Sequence, residues 1–397
     1  MSAESAASRR WRETLLADPG TLAAGVIGAI IAGVIFVGAI RNHLASDYPA
    51  DLAFTAHGLK TGVFPGDLLF QVLNGAFAGF STDARVLKAS LVLVLAVATG
   101  VKIWFSARFV VTEDAAASGS RANGITLAVV VTAAGFCTLA FCLPGQNYYL
   151  GEIPPNVWHN PSTILLMPFA VGLFWSSLLF LRSGDVKYIR MSLVLGVLNV
   201  LAKPSFVLCF LLVFPVVAFL RFGWSRETRL ALFLTVLIAC VLGVQYIYVY
   251  AAAPPGSSDT STSGVTIAPF RVWNAYTSQI PRALIDSYLF PAAALILGGT
   301  AVWRNRGVQY ALALAMVGLV EYALLAEGGA RLLDGNFTWQ AVITQYILFL
   351  TLVAALVPWL RAGRWRIRKA LIATAFAAHL WAGGNYLGHW FATKSFT

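Results

Sequence analysis

The stretch "TLAAGVIGAIIAGVIFVGAIRNHLASDYPAD", residues 21–51, decides the class of fold. Its first part, 21–40, is uncharged and mostly apolar, and it is long enough to cross a bilayer as one α-helix. The chain then becomes polar and soon reaches Asp47 and Asp51. An apolar run that opens into a loop with two carboxylates indicates a membrane span followed by a polar loop.

The composition extends this interpretation to the whole chain. Its 397 residues are 58% hydrophobic and only 11% charged, whereas soluble domains are about 25% charged. The apolar residues form continuous blocks and do not alternate with polar ones, which predicts spanning helices and not barrel strands. We predict an all-α polytopic membrane protein with one transmembrane domain over 1–397 and no separate soluble domain.

The apolar blocks predict about eleven spans. The candidate spans are 21–41, 86–111, 125–143, 161–181, 190–202, 204–222, 229–251, 286–303, 308–326, 340–360 and 370–391. The fifth is short and ends at "LAKPSF", where Pro204 disfavours a helical conformation at Lys203. Membrane proteins tolerate such a break where it lines a cavity.

Basic residues fall on alternate loops of this arrangement. They lie in the N-terminal "RRWR" and in 182–190, 221–229, 303–306 and 361–369. A net charge of +11 could indicate nucleic acid in a soluble protein. Because these charges follow span ends, we read them as topology signals and expect no nucleic-acid partner. They predict a cytoplasmic N-terminus in a multi-pass protein of the cell membrane.

The loops on the other side are long and collect most of the acidic residues. These loops are 42–85, 143–163, 252–285 and 327–340. Within the first, 51–60 and 67–80 are too short to span and are predicted to be helices in the membrane interface, separated by "TGVFPG". Any chemistry is therefore expected on the outer face.

Asp47 and Asp51 are the first candidates for catalysis. If "DYPAD" begins a helix, with Pro49 in its first turn, residues four apart share one face. Partial desolvation at a membrane interface tends to raise a carboxyl pKa, which suits a general base. The alternative is a helix N-cap with ordinary loop solvation.

This organisation resembles the GT-C superfamily of membrane glycosyltransferases, which use polyprenyl-phosphate sugars. The resemblance rests on Asp47 in "SDYPAD", the amphipathic pieces 51–60 and 67–80, and "LNVLAKPSF" (198–206). The last is similar to an L-x-x-L-T/A-K-P/G run found where a helix ends near the lipid phosphate in many such enzymes.

The resemblance implies a single displacement on a polyprenyl-phosphate sugar, with Asp47 as the base. The acceptor would be a hydroxyl of a glycan, lipid or protein in cell-envelope glycan biosynthesis. The large soluble C-terminal domain common in the superfamily is not predicted here, so the acceptor stays open. Glu152 is the further catalytic candidate beside Asp51.

A departing phosphate requires cations, and Lys203 is the first candidate because it sits between two apolar blocks. It could instead be a snorkelling anchor. Arg331 lies in "EGGARLLDGNF" and could grip phosphate through two hydrogen bonds, or form a salt bridge to Glu327 or Asp334. We predict that Lys203 and Arg331 converge beside Asp47. The reserve candidates are Arg282 and Arg271.

The segment "NVWHNPS" carries side chains that suit a sugar. The predicted substrate-binding residues here and beside Asp47 are Asn156, Trp158, His159, Asn160 and Tyr48. Asn160 with Pro161 also reads as the cap and first turn of the next helix. His159 could be a second base, a metal ligand or a structural residue.

Neither a cofactor nor a metal is required by this pattern. A divalent ion is possible if Asp47, Asp51, Glu152 and His159 converge, but their spacing does not demand one as HExxH would. The alternatives to an enzyme are a transporter or flippase of lipid-linked sugars, or a non-catalytic assembly protein. Transporters keep ionisable residues inside spans. Here Lys102 and Glu321 are the exceptions, both expected near span ends.

Overall fold

The computed structural model describes residues 19–64, 67–118, 131, 133, 135–138, 151–251, 264–361 and 366–395. Several sequence predictions lie outside these residues: the N-terminal basic cluster, most of the predicted span 125–143, the loop part 143–150 and the opening of the third long loop, 252–263.

The described chain is almost entirely helical, as the apolar blocks predict. The helices are α1 (Pro19–Arg41), α2 (Tyr48–Thr61), α3 (Leu68–Phe77), α4 (Ala84–Ser118), α5 (Pro161–Ser183), α6 (Val186–Ala202), α7 (Ser205–Phe222), α8 (Arg226–Tyr246), α9 (Arg271–Tyr276), α10 (Ile280–Leu297), α11 (Thr300–Trp303), α12 (Arg306–Leu324), α13 (Thr338–Arg361) and α14 (Ile367–Thr393). A π-helical turn (Ile247–Ala251) extends α8, and Gly329–Arg331 form a 3-10 turn.

Eight of the described helices are long and apolar enough to cross a membrane: α1, α4, α5, α7, α8, α10, α12 and α13. This is the pattern of a multi-pass helical membrane protein. Each corresponds to a predicted span, but the span predicted at 286–303 was misplaced and lies at Ile280–Leu297. Arg282 and Asp286 pair within its first turns, so the polar start of the helix resembled a loop. The predicted spans 190–202 and 370–391 are helical, as α6 and α14.

Helices α5 and α13 form the centre of the bundle. Their most apolar windows are 89% and 94% buried, whereas that of α8 is only 17% buried and faces outward. Helix α1 packs closely along α4: a Cβ added at Gly25 would lie 2.8 Å from the Cβ of Trp104, and one at Gly100 only 2.7 Å from that of Ala29. Small residues at such crossings let membrane helices approach.

The long loops meet at one end of the bundle, which we call the Asp47 end. Asp47 donates its backbone N–H to His159, and Ala45 donates to Lys394 near the end of the chain. Strand β1 (Val265–Ile267) pairs antiparallel with β2 (Leu325–Glu327), a short sheet that the sequence did not predict.

The described basic loops meet at the other end. There Arg182 makes two hydrogen bonds with Glu113, at 2.5 and 2.8 Å, and Arg361 pairs with Asp114 at 2.8 Å. The separation of basic from acidic loops therefore follows the predicted alternation along the chain.

Two local predictions concern the Asp47 end. Helices α2 and α3 follow the first span, close to the predicted pieces 51–60 and 67–80. Gly62 ends α2 at φ +75°, a conformation that favours glycine. The break at "LAKPSF" is confirmed: α6 ends at Ala202, Lys203 is extended, and α7 begins at Ser205.

Lys102, expected near a span end, instead lies near the middle of α4, because α4 runs on to Ser118.

Candidate functional site

Asp47 lies at the start of α2, directly beyond the first span. It occupies the N-cap position, yet within the described chain its carboxylate does not cap the helix. Instead, Asp47 Oδ2 accepts a hydrogen bond of 2.7 Å from Asn160 Nδ2. The carboxylate is half-buried, so it is held in place while still reachable.

Asn160 joins this carboxylate to a cation. Its Oδ1 caps α5 by accepting from the backbone N–H of Thr163 at 2.9 Å, which confirms the predicted cap. The same oxygen accepts from Lys203 Nζ at 3.1 Å. One amide thus holds the Asp47 carboxylate on its nitrogen side and the Lys203 ammonium on its oxygen side.

Lys203 is buried, with only 8% of its surface exposed, so in this structure it is not a snorkelling anchor. The break before Pro204 turns the chain inward, and Nζ also reaches Ser162 Oγ at 3.3 Å. The ammonium lies 4.7 Å from the ring centroid of Trp339, a cation–π contact. Burial lowers the pKa of Lys203, and the surrounding carboxylates oppose this effect.

Asp51 stands on the same side of α2 as Asp47, and its backbone N–H donates to the Asp47 carbonyl at 3.0 Å. It is only 8% exposed. Burial raises the pKa of Asp51 well above its ordinary value; Asp67 and Asp47 add to the rise, and Lys203 opposes it. Asp51 therefore holds a proton more tightly than a free aspartate does.

Asp67 was not predicted as a site residue, although it belongs to the same cluster. It precedes α3, and among the charged groups near Asp51 and Lys203 it has the largest effect on the pKa values of both. Burial raises the pKa of Asp67, while Lys203, Ser162 and Arg331 oppose the rise. No local signal reveals this role, since it depends on α3 folding back beside α2.

Arg331 lies at the edge of this cluster. Its Nη2 is 3.2 Å from Glu327 Oε2 and its Nε is 3.0 Å from Asp334 Oδ2, so both of the predicted alternative salt bridges form. The side chain is still 30% exposed. Arg331 lowers the pKa of Asp67 and Glu327 raises that of Lys203, so the charges of the "EGGARLLDGNF" loop influence the Asp47 cluster. The convergence of Arg331 with Lys203 beside Asp47 stays a prediction.

His159 is buried beside the ammonium, with its ring centroid 5.8 Å from that of Trp339. Burial lowers the pKa of His159 to about 4; Asp47 opposes the effect and Lys203 adds to it. The imidazole is thus neutral near pH 7.

Tyr48 and Trp158 serve packing in this structure. Both are 3% exposed, and the Tyr48 hydroxyl donates to the Trp158 carbonyl. The Trp158 ring stacks on Phe136 at 5.1 Å and contacts Phe36 at 5.7 Å. A sugar platform at either ring would require these contacts to open, so their predicted binding role stays without support from the geometry.

The side chain of Asn156 forms hydrogen bonds within the protein and away from the Asp47 cluster. Its Oδ1 accepts from Lys102 Nζ at 2.6 Å, and its Nδ2 donates to the Cys137 carbonyl at 2.5 Å. Lys102 additionally lies 4.6 Å from the ring centroid of Tyr346. In this structure Asn156 ties the "NVWHNPS" segment to α4, although the sequence predicted it to face a sugar.

Glu152 and Arg282 belong to a second cluster. The charged neighbours of Glu152 are Asp286 and Arg282, whereas those of Lys203 are Asp67, Asp47, Asp51 and Glu327. Arg282 Nε lies 3.7 Å from Asp286 Oδ2. Burial raises the pKa of Glu152 to about 8, Asp286 adds to this rise, and Arg282 opposes it. The reserve cation Arg271 is exposed at the start of α9.

The residues proposed as possible metal ligands do not all meet, since Glu152 lies in the second cluster. In the described ranges, no group of three or more His, Cys, Asp and Glu side chains is arranged to hold a metal ion. The Asp47 cluster instead combines one half-buried carboxylate, two acids whose pKa values are raised by burial, a buried ammonium and a partly exposed guanidinium. Such a set can take a proton at Asp47 and bind an anion beside it.

No protein-family model matches this sequence, and no curated protein matches it either.

Proposed function

We propose that this protein is a membrane glycosyltransferase of GT-C architecture. It transfers a sugar from a polyprenyl-phosphate donor to an acceptor hydroxyl of a glycan, lipid or protein on the outer face of the membrane. The observation that carries the proposal is the amide of Asn160, which holds the carboxylate of Asp47 and the ammonium of Lys203 on its two sides. Base and cation are then separate but adjacent, as a displacement from phosphate requires.

The reaction is a single displacement. Asp47 accepts the proton of the acceptor hydroxyl as the oxygen attacks the anomeric carbon of the sugar. The bond between that carbon and the phosphate oxygen breaks, and its electron pair leaves with the polyprenyl phosphate. Lys203 and Arg331 stabilise the charge that develops on the phosphate, an effect that is strong where water is excluded.

The charge balance of the cluster supports this assignment. If all carboxylates were ionised, Asp47, Asp51, Asp67 and Glu327 would outnumber the two cations and repel a phosphate. Burial raises the pKa of Asp51 and of Asp67, so both carboxyl groups are easier to protonate than a free aspartate. A neutral carboxyl can donate a hydrogen bond to a phosphate oxygen. Protonation of Asp51 or Asp67 would therefore reduce the repulsion of a phosphate beside Lys203.

The test follows the donor directly. The purified protein is reconstituted in liposomes with a polyprenyl-phosphate sugar carrying a labelled sugar, and a membrane extract supplies acceptors. The wild type should release free polyprenyl phosphate and move the label to an acceptor. Asp47→Asn should lower this rate by about 10²–10⁴-fold, the range for a general base. A rate equal to that of the wild type would remove Asp47 from the mechanism.

Asp83→Asn is the matched control. Asp83 is exposed and accepts hydrogen bonds from the backbone of Arg85 and Val86 at the start of α4. Asparagine caps helices about as well as aspartate. This variant makes the same chemical change outside the cluster and should turn over normally.

Transport of lipid-linked sugars is the second candidate, and one observation favours it. Lys102 is a buried cation near the middle of a spanning helix, and ionisable residues at such positions often mark a transport path. The same liposomes separate the two functions. A transporter moves the labelled donor across the bilayer with its sugar–phosphate bond intact, whereas the proposed enzyme breaks that bond.

A further inference from the structure

The second cluster contains two carboxylate oxygens that need donors. Glu152 is only 4% exposed, and within the described chain its Oε2 has no hydrogen-bond partner. Asp286 is 3% exposed, and its Oδ2 likewise has none. The nearest cation is Arg282, whose Nε lies 3.7 Å from Asp286 Oδ2, which is longer than a hydrogen bond. Buried acceptors without donors are costly, so their persistence requires an explanation.

We propose that Glu152 and Asp286 form a binding site for a primary ammonium group, with Arg282 at its entrance. The site is distinct from the Asp47 cluster and does not depend on the proposed transferase activity. Arg282 is about one-third exposed, with 35% of its side chain accessible, so it connects the buried acids with the surface.

The charges select the class of ligand. Once Glu152 is ionised, two carboxylates and one guanidinium leave a formal charge of minus one, which a monocation neutralises. A primary ammonium carries three N–H donors, enough for both free oxygens. A neutral hydroxyl compound supplies donors but no charge. A quaternary ammonium supplies charge but no donor. A divalent cation prefers more oxygen ligands than two side chains provide.

The ammonium could belong to an ethanolamine lipid head group or to an amino sugar, and the test distinguishes these sources. Thermal unfolding of the purified protein in detergent is followed with ethanolamine, with glucosamine and with phosphatidylethanolamine. The matched controls are ethylene glycol, glucose and phosphatidylcholine. The amines should raise the unfolding midpoint in a saturable manner, and the controls should not. A response to phosphatidylethanolamine alone assigns the lipid, and a response to glucosamine alone assigns the sugar.

Two variants locate the response. Glu152→Gln and Asp286→Asn each remove one charge with little change of shape, and each should weaken the apparent affinity for the amine about tenfold or more. Asp83→Asn should leave it unchanged. The use of two neutral variants at the site keeps the test valid if one of them fails to fold.

The affinity of the wild type for ethanolamine, whose amine stays mostly protonated over this range, should also rise between pH 6.5 and 8.5. Over this range Glu152 ionises through its pKa of about 8, with Asp286 and Arg282 as the charged groups facing it. Three results would each overturn the site: no response to any amine, an equal response to the neutral or quaternary controls, or an unchanged response in both site variants.

Discussion

Asp47 and Lys203 lie far apart in the sequence but contact the same amide: Asn160 donates to Asp47 Oδ2 at 2.7 Å and accepts from Lys203 Nζ at 3.1 Å. In the described chain, the carboxylate of Asp47 and the ammonium of Lys203 do not form a direct ion pair. The amide of Asn160 lies between them and contacts both.

The first prediction separates the two tasks of Asn160. Asn160→Ser keeps a good helix cap but loses the amide that joins Asp47 to Lys203. We expect donor turnover to fall about tenfold or more, because a hydrogen bond to a charged group is worth about 1.5–3 kcal/mol, while the unfolding midpoint stays close to that of the wild type. Asn305→Ser is the control, since Asn305 caps α12 away from the site. Equal effects of the two variants on turnover would show that only the cap matters.

The second prediction concerns the cation. Lys203→Met keeps the length and apolar stem of the side chain but removes the charge beside Asp67 and Asp47. The KM for the polyprenyl-phosphate donor should rise about tenfold or more, with turnover still detectable at saturation. Lys187→Met serves as the control because Lys187 is exposed and, among the residues that the structure describes, pairs with Asp185 and its own neighbour Tyr188. An unchanged KM for the donor in the Lys203 variant would exclude a phosphate contact.

The third prediction is a pH dependence of stability at Glu152. Burial raises its pKa from 4.5 to about 8, so the folded state holds a proton that the unfolded chain releases earlier. This contribution to stability is complete below pH 4.5 and is lost as the pH rises through 8. Glu152→Gln keeps a neutral side chain at every pH. Its free energy of unfolding, measured by chemical denaturation between pH 5 and 8.5, should vary less with pH than that of the wild type. Parallel curves for the two proteins would contradict the buried neutral acid.

The fourth prediction fixes the orientation in the membrane. Leu333 and Trp224 are exposed at opposite ends of the bundle, at 46% and 75%. In a background without other cysteines, Leu333→Cys should react with an impermeant thiol reagent added to intact cells, and Trp224→Cys should react only after the cells are opened. The basic loops on the Trp224 side are the physical reason. The reverse labelling would place the Asp47 end in the cytoplasm.

The sequence predicted those parts of the site that depend on local rules. Pro204 excludes helix at Lys203, Asn160 with Pro161 starts a helix, and Asp47 follows an apolar run; all three are features of adjacent residues. The spanning helices were predicted for the same reason, because length and apolarity are read from a continuous window.

The remaining parts depend on pairings between distant segments, which adjacent residues do not encode. Glu152 was predicted as a catalytic candidate along with Asp47 and Asp51, yet its charged neighbours, Asp286 and Arg282, come from α10. Asn156 was predicted to contact a sugar, but its Oδ1 accepts a hydrogen bond from Lys102, which lies 54 residues earlier in the chain. Asp67 joins the cluster only because α3 returns beside α2. Burying a polar side chain without a partner costs free energy. In a chain with few charged residues, the position of each charged group therefore depends on which partner the fold brings to it.

The crossing of α1 and α4 has a consequence for how defects in this protein would be found. Gly25 lies sixteen residues before Arg41, or about 24 Å along a helix, and a Cβ there would meet the Cβ of Trp104 at 2.8 Å. A larger side chain would push the first helix away from its neighbour and carry Asp47 with it. Selection for loss of function should therefore recover mutations at Gly25 and Gly100 as well as in the charged cluster. A map of inactive alleles would then extend across the membrane, although the proposed chemistry lies at one end.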